Sequence, residues 1–327
     1  MTGGRRGIAG IAVVLAALLA LFLALRGPGG GHPAAAVLNE TSPAAAPGGP
    51  AAADGAPRPG PSGSSRPAAT SAQSAPVSPA GHADPLDGAA AAYAADRSGT
   101  VLAAVYDVRT GQSWRLGDGR AQAEASVVKL DILETLLARN GGTALPAGEQ
   151  NLARAMIEDS DNDSATSLWD EAGAATGVGA YNQRAGLTRT VPSQCVTCAG
   201  FPWPGWGLTT TVPYDQLTLL KQLVVPGPRP LLSAAQRSYA LSLMEDVTPD
   251  QRWGVSGGVP AGVTVALKNG WLPLDAASAD WQVNSVGWVS GDGRDYLIAL
   301  LTTGNPSMQY GQDTISALSS IIWSALR

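Results

Sequence analysis

The chain has 327 residues, a net charge of −5, two cysteines and two histidines. That length allows two domains, but the charge is modest and no Lys/Arg cluster stands in the carboxy-terminal part, which excludes a nucleic-acid footprint. Two cysteines cannot form a four-thiolate zinc site, and no cofactor is expected.

Segment 1–26 reads as an export element. Arg5 and Arg6 precede an apolar run from Gly7 to Leu25, long enough to cross a hydrocarbon core. The positive-inside rule keeps the arginines in the cytoplasm and puts the rest outside. The run exceeds the usual apolar region of a cleaved signal and lacks a clear small-x-small site after it. An uncleaved membrane anchor through residues 7–25 is therefore expected; a cleaved signal peptide, giving a secreted domain, is the alternative. No cysteine follows the run, which excludes lipid attachment there.

Residues 27–88 are dominated by Ala, Pro, Gly and Ser. Such a segment buries too little surface to offset its ordering entropy and is expected to be a disordered linker. As a flexible coil it would reach roughly 40–50 Å. His32 and His82 both fall in it, which leaves residues 89–327 without a Ser-His-Asp triad or a histidine-ligated metal. That stretch carries all nine tryptophans and suits one folded domain. A monomer is expected.

Within the domain, 101–108 and 113–116 read as two strands around a turn at 109–112. The pattern from Val127 to Asn140 is helical and apolar on most faces, so this helix is expected to be central and buried. Helices follow at 149–158 and 163–172. Residues 186–208 are irregular, a loop long enough to be functional or clamped. Export makes a structural disulfide between Cys195 and Cys198, within that loop, the expected state; a redox Cys-x-x-Cys would need a βαβ context that is missing here. Helical pattern returns at 213–225 and 233–246. Strands are expected at 263–268, 283–289 and 296–302, and a last helix at 313–326. The natural solution is an α+β fold: an antiparallel sheet of about five strands from both ends of the domain, packed by helices in three layers, with an all-helical subdomain.

Only three lysines occur, and two of them close short motifs. Ser126 and Lys129 are spaced to share one face at a helix start. A serine hydroxyl needs a base to become a nucleophile, and a lysine supplies one if burial and neighbouring cations depress its pKa. Ser160-Asp161-Asn162 offers a hydroxyl to relay a proton and an amide to hold a carbonyl. Lys268-Asn269-Gly270 offers a cation for a carboxylate, and a glycine past which a substrate can approach. Alone, each motif reads equally as a helix cap or a turn.

In this order the three motifs resemble the signature of class A β-lactamases and penicillin-binding proteins. Thr209-Thr210-Thr211-Val212-Pro213 is similar to the Thr-Thr-Thr-Pro element that ends the active-site loop of class A enzymes. The resemblance covers about residues 95–327. It implies the serine β-lactamase/D,D-peptidase fold, an acyl-enzyme on Ser126, and β-lactams or D-alanyl peptides as ligands. It also implies that the backbone N–H groups of Ser126 and Trp271 form the oxyanion site.

The chain departs from the family pattern in several places. Class A enzymes carry a glutamate in the loop before the Thr-Thr-Thr element, and it positions the hydrolytic water. No Asp or Glu occurs from Ala172 to Tyr214, and counting back places the equivalent position near Cys195. Acylation by Ser126 and Lys129 is therefore expected to outpace deacylation, leaving the acyl-enzyme trapped. Asn269 stands where Thr or Ser is usual, as an amide still able to donate to a carboxylate. The interval from Ser126 to Ser160 is short for class A. Trp271 either narrows the cleft and stacks on substrate or packs at the strand end. A non-catalytic cell-envelope binding module on the same fold is the alternative reading.

Overall fold

The computed structural model describes residues 82–327 except 200, 202 and 276–279. The export segment and most of the linker lie outside the described residues. His82 to Gly88, expected in the linker, are among the described ones: Leu86 is buried and His82 Nδ1 stands 2.7 Å from Asp107 Oδ2.

The chain runs α1 (Ala89–Ala95), β1 (Thr100–Asp107), β2 (Ser113–Leu116), β3 (Gln122–Ala123), α2 (Val128–Arg139), α3 (Ala147–Glu158), α4 (Asn162–Glu171), α5 (Ala174–Ala185), β4 (Thr210–Thr211), α6 (Pro213–Val224), α7 (Ala234–Glu245), β5 (Thr264–Asp275), β6 (Asp280–Gly291), β7 (Arg294–Asn305) and α8 (Met308–Ala325). Five strands form one antiparallel sheet in the order β2-β1-β7-β6-β5. Both ends of the domain build it, as the sequence pattern requires.

Side-chain alternation explains the three layers. On β1, Leu102 and Ala104 join one apolar cluster while Val101, Ala103 and Val105 join another. On β7, Leu297, Ala299 and Leu301 face the first, and Tyr296, Ile298 and Leu300 the second. Period-2 alternation on a sheet buried on both sides leaves apolar residues at every position. The second cluster is closed by α1 and α8 through Ala90, Ile315, Leu318 and Ile322. The first is closed by the helical part, α2 to α7, with α2 at its centre.

Three boundaries differ from the sequence pattern. β5 continues to Asp275 through Pro273, which an edge strand tolerates because one side needs no ladder donor. The last helix starts at Met308, where the Ser307 hydroxyl caps it by accepting from the Tyr310 N–H at 3.1 Å. α5 was not anticipated. Its Gly177 and Gly179 lower helix propensity, but a Cβ at Gly177 would lie 1.9 Å from the Ala172 carbonyl oxygen. At Gly177 the tight junction between α4 and α5 leaves room only for a bare Cα.

α2 buries ten of its twelve residues, including Lys129, Asp131 and Glu134. Glu124, just before it, is also fully buried. Burial pushes the Glu124 carboxyl well up, with Asp131 and Asp215 adding repulsion. Burial likewise raises Glu134 well up, opposed by the 2.6 Å bond it accepts from the Tyr181 hydroxyl. Asp131 rises by burial to about 7, opposed by the 2.8 Å bond from Asn182. These groups bind protons in the folded state that the unfolded chain releases at ordinary carboxylate values. Their contribution to folding stability is therefore full only below ordinary carboxylate values, about pH 4, and is lost as pH rises from there through the folded values, about 7 for Asp131. Lys268, whose folded value is depressed to about 7, and Lys129, depressed well below the ordinary lysine value, run the other way, each only above its own folded value, and oppose the three carboxylates there. Denaturant midpoints at pH 5 and pH 8 check this: a lower midpoint at pH 8 is expected, and Asp131→Asn should flatten the difference.

Candidate active site

Ser126 sits in a one-turn 3-10 segment, Ala125–Val127, that leads into α2. Ala125 before it has φ +52°, a left-handed backbone uncommon for a non-glycine residue. Side chains from β6 brace the approach to this turn. Gln282 Nε2 donates to the Ala123 carbonyl at 2.5 Å, and Asn284 Nδ2 donates to those of Ala123 and Glu124 at 2.9 and 3.0 Å. From the other side, β3 pairs with β4, and the Glu124 N–H donates to the Thr209 carbonyl at 2.7 Å. The Thr209–Thr211 element thus ties the loop's end to the residues preceding Ser126.

Lys129 is on the first turn of α2 and is fully buried. Its Nζ donates to the Ser160 carbonyl, lies 3.2 Å from Ser160 Oγ and 2.8 Å from Asn162 Oδ1. Lys268 Nζ, on β5 and also buried, lies 2.9 Å from the same Ser160 Oγ and 3.0 Å from the Asn269 carbonyl. One hydroxyl thus bridges the two amines. Burial depresses Lys129 well below the ordinary lysine value, Lys268 adds repulsion, and Asp161 partly restores it. Burial brings Lys268 down to about 7.

The Ser160 turn is set by helix ends. Ser160 follows α3 with φ +57°, the left-handed position that commonly terminates a helix. Asp161 then caps α4, its side chain accepting from the Ser164 N–H at 2.7 Å. Asn162 is the first residue of α4 and so faces Lys129.

Gly270 packs directly on the Ser126 turn. A Cβ there would lie 2.7 Å from the Glu124 carbonyl oxygen and from the Ser126 and Val127 nitrogens. The glycine is therefore needed first for contact with the protein's own backbone. Asn269 differs from expectation. Its amide donates to the Gln251 carbonyl at 2.6 Å and to that of Trp253 at 3.3 Å. Strand alternation turns it away from Lys268 and Gly270, and its donors are spent holding the 249–256 turns. Trp271 packs on Trp253 with ring centroids 5.8 Å apart, and it also lines the hollow beside Ser126.

Cys195 and Cys198 form a disulfide. A Cβ at Gly205 would fall 1.8 Å from the Cys195 carbonyl oxygen, so the disulfide turn lies against the short helical segment Gly205–Leu208. From that segment Trp206 reaches inward. Its ring centroid is 5.1 Å from Lys129 Nζ, and its Nε1 donates to Thr166 Oγ1 at 3.1 Å. Counting along the sequence placed the counterpart of the family's loop glutamate near Cys195; the loop side chain found at Lys129 is Trp206. Its signal was the tryptophan cluster in a loop without acids. Gln282 and Asn284 were missed too, because nothing local distinguishes them from other strand residues.

His82 stays away from this site. Asp107, its partner, lies on β1, three strand spacings from β5, roughly 14 Å. Among the described residues no group of three His, Cys, Asp or Glu is placed to hold a metal.

A family model described as "Beta-lactamase enzyme family" matches residues 140–326. Three solved structures share the fold. TLA-1 extended-spectrum β-lactamase has a TM-score of 0.62 and 17% identity over 72% of this chain and 95% of its own. A β-lactamase from Chitinophaga pinensis has 0.62 and 18% over 72% and 97%. The class A β-lactamase from Mycobacterium abscessus has 0.58 and 21% over 72% and 96%. At such identities the likeness establishes the fold alone. The protein named "Putative lipoprotein LppW" in Mycobacterium tuberculosis, with a counterpart in Mycobacterium bovis, is 29% identical over 213 residues, 63% of this chain. The chain spans 64% of the length of these curated relatives. With a family match over more than half its length, the chain belongs to the β-lactamase enzyme family.

Proposed function

We propose that this protein is an exported, extracytoplasmic serine hydrolase that forms an acyl-enzyme on Ser126 with β-lactams or D-alanyl cell-wall peptides and releases it slowly. The observation that carries the reading is the pair of buried lysines sharing the Ser160 hydroxyl at 3.2 and 2.9 Å. Lys129, held toward its neutral amine by burial, accepts the Ser126 hydroxyl proton as Oγ attacks the carbonyl carbon. The N–H groups of Ser126 and Trp271 receive the oxyanion. When the C–N bond breaks, the leaving nitrogen takes its proton through Ser160, and Lys268 anchors the carboxylate on that half of the substrate. Asn162 holds the amide carbonyl of the acyl half.

Slow release follows from the walls of the hollow. None of the residues lining it is acidic, and Trp206 covers Lys129 from the loop side. A water there has no carboxylate to activate it, and general base catalysis is worth about 10²–10⁴-fold. Incubating the full-length chain with a fluorescent penicillin should give a covalent adduct that Ser126→Ala abolishes, with little nitrocefin turnover. No adduct over hours would make the chain a binding module on this fold, and rapid turnover would show that another group activates water.

A further inference from the structure

We propose that the Cys195–Cys198 turn is a redox clasp: it holds Trp206 as a screen between water and Lys129, and its reduction by a dithiol turns a slow acyl-enzyme into a faster hydrolase. This rests on the acyl-enzyme reading above and assigns a regulation to that same site.

The hollow beside Ser126 has about 30 Å³ of room, and a water needs roughly 10–15 Å³. No acid lines the hollow. The base left to activate a water there is the Lys129 amine, neutral again once the leaving nitrogen has taken its proton. Trp206 lines the hollow, and its ring centroid lies 5.1 Å from Lys129 Nζ, which is itself fully buried. The indole thus stands between the water and the base. Trp206 is a positioning residue, acting through Lys129.

Two sets of contacts hold the indole. On one side, its Nε1 donates to Thr166 Oγ1 at 3.1 Å. On the other, the residue before it is seated on the disulfide turn. The Gly205 N–H donates at 3.1 Å to the carbonyl of Val196, which lies between the two cysteines. A Cβ on Gly205 would fall 1.8 Å from the Cys195 carbonyl oxygen. The turn is also tied to the end of the loop: the Cys195 N–H donates to Ser193 Oγ at 3.3 Å, and the Ser193 N–H to Thr209 Oγ1 at 3.1 Å. A cross-link limits the conformations open to a segment, so without it the Val196 carbonyl is no longer fixed against Gly205. Both cysteines are partly exposed, within reach of a reductant.

A dithiol attacks one sulfur as its thiolate, forms a mixed disulfide, and then closes to its own disulfide. Two electrons and two protons pass to Cys195 and Cys198, which become thiols. With the clasp open, Trp206 moves aside and water reaches Lys129. The water oxygen adds to the ester carbon and its proton goes to Lys129 Nζ. That proton returns to Ser126 Oγ as the ester C–O bond breaks.

The full-length chain, acylated with benzylpenicillin and freed of excess ligand, is followed by intact-protein mass spectrometry with and without dithiothreitol. Reduction should speed loss of the adduct about 10–100-fold, at most the low end of what a positioned base supplies, and leave the rate of acylation unchanged. Joint Cys195→Ser and Cys198→Ser substitution should give the same fast release without reductant and no response to dithiothreitol, which also excludes direct attack of the thiol on the ester. Trp206→Ala should release quickly with the disulfide intact and gain less than about threefold from reduction, since two changes acting through one residue do not add. Trp206→Phe, which keeps a ring over Lys129, should keep the slow release and the response to reduction. Unchanged release in both the reduced chain and the double cysteine variant would overturn the clasp and leave the acyl-enzyme standing. An equal response to reduction in Trp206→Ala, or acylation altered in step with release, would overturn it as a general loosening of the loop. No adduct in any state would overturn the acyl-enzyme reading, and the clasp with it.

Discussion

Replacing Lys129 by methionine should lower the rate of Ser126 acylation by about 10²–10⁴-fold, the usual worth of a positioned general base, while the chain stays folded. Methionine keeps an unbranched apolar stem in a buried slot and removes an amine that burial already penalises. The substitution also removes a donor from the Ser160 carbonyl and Asn162 Oδ1, so a modest loss in thermal midpoint is expected, not unfolding. Adduct formation with a fluorescent penicillin, followed over time at saturating ligand, separates the two effects. An acylation rate within threefold of wild type would rule Lys129 out as the base. The nearest other amine is Lys268, and its link to the site also runs through Ser160.

Substituting Gly270 by alanine should be as damaging by a different route. The added methyl would meet three backbone atoms at 2.7 Å, and none belongs to a flexible side chain. They cannot retreat easily, because Asn284 and Gln282 hold the carbonyls of Ala123 and Glu124 from β6. Either β5 or the Ser126 turn must move, which separates the two N–H groups proposed to receive the oxyanion. Losing one such donor costs about 10²–10³-fold, and a fall in acylation of at least that size is expected, with a lower thermal midpoint. Gly148→Ala is the control: a Cβ there meets nothing within 4 Å in α3, so rate and midpoint should hold. Normal acylation by Gly270→Ala would mean that the turn is far more compliant than its bracing implies.

Much of the architecture was legible because it rests on local periodicity. The alternating or wholly apolar runs at 101–108, 283–289 and 296–302 are strands in the structure, and the continuous helical pattern after Ser126 is the buried central helix. The three motifs were visible for a similar reason, each being a short run with a local backbone role: a helix entry, a helix-to-helix turn and an edge strand. Where a residue's fate depends on a partner far along the chain, the pattern was silent. α5 was hidden by its own composition: its two glycines argue against a helix, though at Gly177 the junction with α4 admits only a bare Cα. Asn269 reads as a substrate contact from its place in the motif, yet its amide is taken up by Gln251 and Trp253, sixteen to eighteen residues away.

The sequence alone determined the order of the longer strands and most helices, the absence of an acid between Ala172 and Tyr214, and the scarcity of lysine that singled out Lys129 and Lys268. Those are properties of composition and local spacing, which no folding step can alter. Tertiary structure decided which loop side chain meets Lys129. It put Trp206 over Lys129, set the disulfide turn against Gly205, and joined both lysines at one hydroxyl. Such contacts arise only when the chain closes on itself, since each pairs residues ten or more positions apart and is selected by packing, not propensity.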